Sequence, residues 1–293
     1  MIYIIIPVFN RLEHTIKCLE SLDKQRYREY KIVLVDDGST DGTYKYISKE
    51  FPSVSIVQGD GSWWWSKSTN RGIESILDKS AEDDLILTLN NDLTLYPDYL
   101  ENLLKIYDEH KPCLVGSISV WKNDIDKIEF VGVKWNAFNA SYKSVAEKEM
   151  KYQELKKQKT HISTDLLPGR GTLYPVELIK EIGLYDDVNF PQYAADEDFS
   201  LRAKNAGHKL VVAVDAVVVS DVESTGINFR YDRPSFRKFV NSLGSIRSAN
   251  NLKVRYQFAK KHARVTIVYF FCDLFRIFGS FFKRYLKSII KKY

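Results

Sequence analysis

Carboxylates fall in three short clusters, each at the edge of an apolar or helical stretch. Asp36-Asp37-Gly38-Ser39-Thr40-Asp41-Gly42 follows the apolar run 31–35, and Asn90-Asn91-Asp92 follows 85–89. Asp196-Glu197-Asp198 opens a helix-like segment that contains Arg202. Each has a plain structural reading. The first is a good turn with a helix cap, the second a turn, and the third an acidic first turn favoured by the helix dipole. Three such clusters on compatible edges of one sheet point instead to a common site. Other chemistries are thinned out by absence: there is no P-loop, no HExxH zinc motif and no GxSxG nucleophile elbow. Gly59-Asp60-Gly61 and Gly169-Arg170-Gly171 begin like a dinucleotide fingerprint, but Trp64 and Tyr174 occupy its last glycine position. Hydride chemistry on a nicotinamide is therefore not expected.

The elements that must hold these residues alternate. Short β-rich runs at 2–6, 31–35, 53–57 and 85–89 are separated by helix-like stretches at 12–22, 44–51 and 70–77, and 97–107 follows the last. Near-continuous apolar strands alternating with helices predict an α/β fold with a mostly parallel sheet buried on both faces. Ligands in such sheets collect at the carboxyl ends of the strands, where two of the clusters lie. Further on, 114–135 reads as strands, 147–159 as an exposed helix or lid, 173–182 and 198–206 as helix, and 209–219 as one or two strands.

The 293 residues suit one large domain, or one domain with an appendage. With 44% hydrophobic residues and no low-complexity tract, the chain is neither disordered nor fibrous. Its formal charge of +5 conceals a split: residues 253–293 carry 11 Lys+Arg against Asp273 alone, leaving the first 252 residues at −5. Such a basic tail should meet something anionic, and no nucleic-acid motif accompanies it. Cys18, Cys113 and Cys272 are isolated, which predicts neither a disulfide framework nor a zinc site and fits a cytoplasmic setting. The opening run ends at Pro7 without a basic leader, so it reads as a first strand rather than a signal peptide.

The motifs together resemble inverting glycosyltransferases of family 2, of the GT-A fold and of the kind that build bacterial polysaccharide and O-antigen. The resemblance rests on Ile5-Ile6-Pro7-Val8-Phe9-Asn10, on Val33-Leu34-Val35 running into the Asp36–Gly42 cluster, on Thr69-Asn70-Arg71-Gly72-Ile73, on Leu89-Asn90-Asn91-Asp92, and on Asp196 through Ala203, in family order. It implies a nucleotide-sugar pocket lined by Pro7, Val8, Asn10, Asn70, Arg71, Asn90 and Asn91, with Asp37 accepting the ring N–H of a uracil- or thymine-type base. Asp92 matches the last acid of the family's metal motif, whose first acid is here Asn90. Asp196 matches the catalytic base, and Asp198 and Arg202, at the start of the helix that follows, are expected on the acceptor side. On the acceptor side the resemblance places Arg170, in a Gly-rich segment, where it can contact phosphate, while Asp221 stands near a metal-binding histidine of many relatives. The cofactor implied is Mg²⁺ or Mn²⁺, which one carboxylate plus substrate phosphates can hold. The reaction implied is inverting transfer of a hexosyl or deoxyhexosyl unit to a saccharide or lipid-linked saccharide. A sugar-phosphate nucleotidyltransferase would open with a Gly-rich basic loop, where this chain has Pro7-Val8-Phe9-Asn10-Arg11. A non-catalytic binding module would dispense with the base, and Asp196 is present.

Two further features frame the site. Trp63-Trp64-Trp65 either plugs the sheet edge or forms a loop at the pocket mouth, where Trp64 and Trp65 stack on sugar or acceptor. A catalytic domain is expected over 1–225, with a nucleotide-sugar half to about 112 and an acceptor half from 113. The region 226–293 is then a helical tail. In that tail Asp273, Arg276, Ser280, Lys283, Arg284, Lys287 and Lys291 share one helix face, opposite Leu274, Phe275, Phe278, Phe281, Phe282, Tyr285, Leu286 and Ile289. This is the pattern of a helix lying on an anionic membrane surface, here the inner face of the cell membrane; packing against the catalytic domain is the alternative.

Overall fold

The computed structural model describes residues 1–147, 149–220 and 234–290. Asp221 and the expected boundary at 225/226 lie outside them. β1 (Ile2–Val8), β2 (Tyr30–Asp36), β3 (Ser55–Gln58) and β4 (Leu85–Thr88) pair in parallel, with α1 (Leu12–Asp23), α2 (Thr43–Glu50) and α3 (Trp64–Leu77) in between. All seven residues of β1 are buried. Ile2, Ile4, Ile6 and Val8 join a core with α1 and α4 (Tyr99–His110), whereas Tyr3 and Ile5 join a larger core beneath α3. That alternation is the two-residue period of a strand covered on both faces. α3 packs so closely that a Cβ on Gly72 would lie 2.6 Å from Ile5 and 2.8 Å from Val35, which is why glycine stands there.

The second half extends the same sheet. β6 (Cys113–Trp121) pairs in parallel with β12 (Lys209–Ser220), and β11 (Thr172–Pro175) runs antiparallel between β4 and β6. β5 (Leu93–Leu95), β7 (Asp124–Phe130) and β10 (His161–Ser163) add edge pieces, and β8 (Val133–Trp135) pairs with β9 (Tyr142–Ser144) in a separate ribbon. The helix expected over 173–182 is therefore two elements: Leu173 and Tyr174 are fully buried mid-sheet strand residues, and α6 (Val176–Ile182) begins after Pro175. Pro175 breaks the run because its fixed φ suits the start of a helix and not its interior. The expected lid over 147–159 reduces to α5 (Tyr152–Gln158), whose Tyr152 and Leu155 are buried in the larger core. α7 (Ala195–Asn205) starts early enough to include Asp196 and Glu197.

The tail departs most from expectation. α8 (Phe236–Gly244), α9 (Leu252–His262) and α10 (Thr266–Ile290) are not a detached appendage: Val254, Phe258, Ala259 and Tyr269 belong to the larger core. Asp273, expected on a solvent-facing side, is 1% exposed and pairs with Arg255 at 3.7 Å and with Arg276. Phe281, expected on the membrane-facing side, is buried and stacks on Phe239 with centroids 4.1 Å apart. The outward face instead carries Ile267, Phe271, Phe275, Phe282, Leu286 and Ile289, all exposed. At about 100° per residue they fall within roughly a 100° arc. Lys283 and Lys287 lie together along one side of it, next to Arg276, which is held by Asp273. No helix among the described residues is long and apolar enough to cross a membrane.

Candidate active site

The exits of β1 and β2 lock onto each other. Asn10 and Arg11 both take left-handed φ values, 60° and 66°. The Asn10 N–H donates to Ser39 Oγ at 2.7 Å, Thr40 N–H donates to Asn10 Oδ1 at 2.8 Å, and Leu12 N–H donates to Asp41 Oδ2 at 2.9 Å. Burial pulls the Asp41 carboxyl up, but hydrogen bonds from the Thr43 hydroxyl and from the N–H groups of Leu12 and Thr43 hold it below the ordinary range. Asp36 caps the same turn by accepting from Ser39 N–H at 2.9 Å. Pro7 and Val8 are buried strand residues, and the Val8 carbonyl accepts from Asp37 N–H, so they shape the pocket edge through the backbone. The Asp37 carboxylate accepts from the N–H groups of Gly61 (2.9 Å), Trp63 (2.9 Å) and Trp64 (3.1 Å). Three of its roughly four lone-pair sites are thus committed to the turn after β3.

Of the three residues after β4, only two face the cleft. Asn91 is a correction: its amide is buried and donates to Thr15 Oγ1 on α1 at 2.9 Å. Asn90 Oδ1 accepts from the Trp65 indole Nε1 at 3.1 Å. Asp92 is 8% exposed, with an Arg11 guanidinium nitrogen 3.5 Å from Oδ2. Burial raises its carboxyl above the usual range, against the opposing pull of Arg11 and Arg170. No group of three or more His, Cys, Asp or Glu suited to a metal occurs among the described residues. A single carboxylate facing guanidinium groups fits a divalent ion that draws its other ligands from phosphates and water.

Across the cleft, α7 is entered through Ala194 at φ 68°. Asp196 Oδ2 accepts from Gly169 N–H at 3.0 Å and Oδ1 from Glu197 N–H at 3.0 Å. Desolvation raises its carboxyl despite those donors and Arg170. Arg170, tied to Glu129 at 3.0 Å and to Ser220, thus acts electrostatically on both Asp92 and Asp196. Trp65 joins the two sides. Its indole bonds Asn90, meets Tyr185 edge-on at 5.3 Å, and presses so closely on Gly169 that a Cβ there would lie 2.2 Å from the ring. Trp64 and Trp65 sit in the first turn of α3 rather than in a loop, and Arg247 lies 5.8 Å over the Trp64 ring.

Four expected site residues are structural. Asn70 pairs its amide with both main-chain groups of Tyr185 at 2.9 and 3.0 Å, and Arg71 pairs with Glu74 beside Trp63 on the surface. Asp198, fully buried, meets Arg202 (2.9 Å), His262 (2.7 Å) and Lys261 (2.7 Å). Burial pulls it up, yet those partners hold its carboxyl at about 2. Asp198 therefore fastens α7 to α9, and Arg202 ties it to the carbonyls of Ile182 and Leu184 at the end of α6, in place of the acceptor-side role expected of both. The sequence reading also missed participants: Arg11, Gln192, which accepts from Trp65 N–H at 3.1 Å, and Glu197, which accepts from Tyr142 Oη at 3.2 Å. Arg11 has a sequence cue in its place directly after the Pro7–Asn10 motif and Glu197 in its place inside the third acidic cluster, though neither cue assigns a role; Gln192 has none.

A parallel sheet with carboxylates converging at its strand ends is the nucleotide-sugar architecture the motifs imply, and comparison with known proteins agrees. The sequence profile described as Glycosyl transferase family 2 matches residues 3–183, and the chain belongs to that family. Among curated relatives it is 25% identical over 224 residues to "Glycosyltransferase AglE" of Haloferax volcanii, covering 73% of this chain and 64% of that protein. With "Glycosyltransferase GlyA" of Streptococcus pneumoniae it shares 23% identity, covering 62% of this chain and 25% of that protein. The chain thus spans less than two thirds of either relative. Its fold is like that of S. aureus TarS in complex with UDP-GlcNAc, with a TM-score of 0.58 at 18% identity over 98% of this chain and 72% of that one. It is also like GalNAc-T7 with UDP, GalNAc and Mn²⁺, with a TM-score of 0.60 at 16% identity, covering 75% and 43% of the two chains. Those likenesses support a GT-A fold for the sheet and its flanking helices, with the C-terminal helix present beside it.

Proposed function

We propose that this chain transfers a hexosyl or deoxyhexosyl unit, with inversion, from a UDP- or dTDP-type donor to a hydroxyl of a saccharide or lipid-linked saccharide in surface polysaccharide assembly. The observation carrying this reading is the run of contacts that links the two acids: Asn90, two residues before Asp92, accepts from Trp65, Trp65 packs on Gly169, and the Gly169 N–H donates to Asp196. Inversion needs one carboxylate to take the acceptor proton from the face opposite the departing diphosphate. Asp196 is suited to take that proton, because its raised carboxyl is a stronger base than a solvent-exposed aspartate and two N–H donors fix its orientation. Asp92 would hold Mg²⁺ or Mn²⁺, which supplies neutralisation of charge on the leaving diphosphate. Asn10 and Asp37 border the donor side through the turn they brace, and Arg170 adds positive charge between the two acids.

Asp196→Asn should lower turnover about 10²- to 10⁴-fold, the usual contribution of a general base, while donor affinity in calorimetry stays near wild type. The wild-type rate should fall as pH drops through the raised Asp196 value, above the ordinary carboxylate range. Near wild-type turnover in the variant, or a retained anomeric configuration in the product by NMR, overturns the reading.

The outward stripe of α10 supports a place on an anionic membrane surface beside a lipid-linked acceptor. Six exposed apolar residues bordered along one side by Lys283 and Lys287 are the composition of an interfacial helix. Phe271→Glu with Phe275→Glu and Leu286→Glu should abolish sedimentation with anionic vesicles without lowering the melting temperature. Loss of a dimer in place of vesicle binding would assign the stripe to a second copy instead.

A further inference from the structure

Six non-glycine residues among those described have left-handed φ, and four of them border the site: Asn10, Arg11, Trp64 and Ala194. Two consecutive left-handed residues at the exit of β1 are unfavourable for L-amino acids, and they persist because neighbouring groups over-determine them. Here three hydrogen bonds from the 39–41 turn hold the pair in place. The result is that α1 starts with Arg11 directed back over the cleft, its guanidinium 3.5 Å from the buried Asp92 carboxylate. That separation is at the outer limit of a hydrogen bond, so the contact is chiefly coulombic.

We infer that Arg11 counter-charges Asp92 in the donor-free protein and transfers to the diphosphate of the arriving nucleotide, making nucleotide and divalent-ion binding depend on each other. The inference rests on the donor reading above and adds a residue that reading does not use. Charge sets the order of events. Arg11 offsets the charge of Asp92, and Arg170, which also acts on Asp92, has its own charge met by Glu129 at 3.0 Å. A divalent ion arriving alone meets a carboxylate already paired with the Arg11 guanidinium, which repels it. A diphosphate offers Arg11 better partners, because guanidinium binds phosphate oxygens in bidentate fashion. Once Arg11 pairs with phosphate, Asp92 is left with negative charge for the ion. Asn90 in place of a first acid makes this exchange more consequential, since it removes the second carboxylate that would otherwise attract the ion unaided.

The decisive measurements are of binding rather than turnover, on the full chain. Mn²⁺ binding is followed by electron paramagnetic resonance with and without UDP or dTDP, and nucleotide binding by calorimetry with and without Mn²⁺. In the wild type, nucleotide should tighten Mn²⁺ binding about tenfold or more, within the usual range of coupling between two ligands. In Arg11→Met, Mn²⁺ alone should bind more tightly than in wild type, nucleotide should bind about tenfold more weakly, and the coupling should shrink. Arg11→Lys should restore part of the nucleotide affinity, and it keeps the test open if the methionine variant folds poorly. Unchanged nucleotide and Mn²⁺ constants in both variants, or weaker Mn²⁺ binding without nucleotide, overturn the inference. A wild type that binds neither UDP nor dTDP overturns the donor reading itself, which separates the two failures.

Discussion

Apart from Asp92, paired with Arg11, and Asp196, held by the N–H groups of Gly169 and Glu197, the two banks of the cleft hold their acids in opposite ways. On the donor bank, Asp36, Asp37 and Asp41 are satisfied by main-chain N–H groups of nearby turns, from Leu12 to Trp64. On the acceptor bank, Glu197 and Asp198 are satisfied by side chains from far along the chain: Tyr142, Lys261 and His262, with Arg255 adding its charge to Glu197. Neutral dipoles of a folded turn hold one set, and charges delivered by α9 hold most of the other. The donor bank is therefore local hardware that forms with its own strands. The acceptor bank is complete only when the C-terminal helices have docked.

The largest consequence of that contrast is at Asp198. Asp198→Ala strands Arg202, Lys261 and His262 around a buried site, and removing one partner of a buried pair typically costs about 3–5 kcal/mol. Urea unfolding should show that loss; a change below about 1 kcal/mol would erase the distinction between the banks. The same carboxyl gives a pH signature. Held at about 2, below its unfolded value, it contributes roughly 2 kcal/mol that is present above pH ~4 and lost as pH falls toward 2. Asp37→Ala probes the other bank more gently. It removes a carboxylate that organises three N–H groups of the turn leading into Trp64, and hydrogen bonds to a charged group are worth about 1.5–3 kcal/mol. Nucleotide affinity should weaken by about one to two orders of magnitude, with a smaller loss of stability than at Asp198. Unchanged nucleotide affinity in calorimetry would detach that turn from donor binding.

What was legible in the sequence follows the same divide. The strands carrying the first two clusters are apolar runs with turn residues at their ends, so period and punctuation find them. The Asp36–Asp41 turn is readable because Asp36 accepts from Ser39 and Asp41 from Thr43, each within three residues; its longer bonds to Leu12 and to the Gly61–Trp64 stretch are not. Asn70 is not: its partner Tyr185 is 115 residues away, and nothing in Asn70-Arg71-Gly72 distinguishes a ligand contact from a main-chain clasp. Residues 173–182 read as one helix because Leu173, Val176, Leu178, Ile179 and Ile182 nearly fit a helical period, while the strand at its start exists only through pairing with β4 and β6. α10 misled for a related reason. Asp273 fits a polar stripe on composition alone, and the buried Arg255 that claims it lies on a different helix.

β11 carries a consequence for how the chain is made. It lies between β4 and β6 in space but follows both in sequence, pairing Leu173 with Leu87 on one side and with Val115 on the other. A chain emerging from the ribosome at about 5–20 residues per second must wait many residues after Thr88 before the strand that joins the two halves appears. During that interval the outer edge of β4 is an open template with unpaired main-chain groups, the kind of edge that recruits other strands. Chaperone demand during synthesis should therefore peak before residue 175 has cleared the exit tunnel.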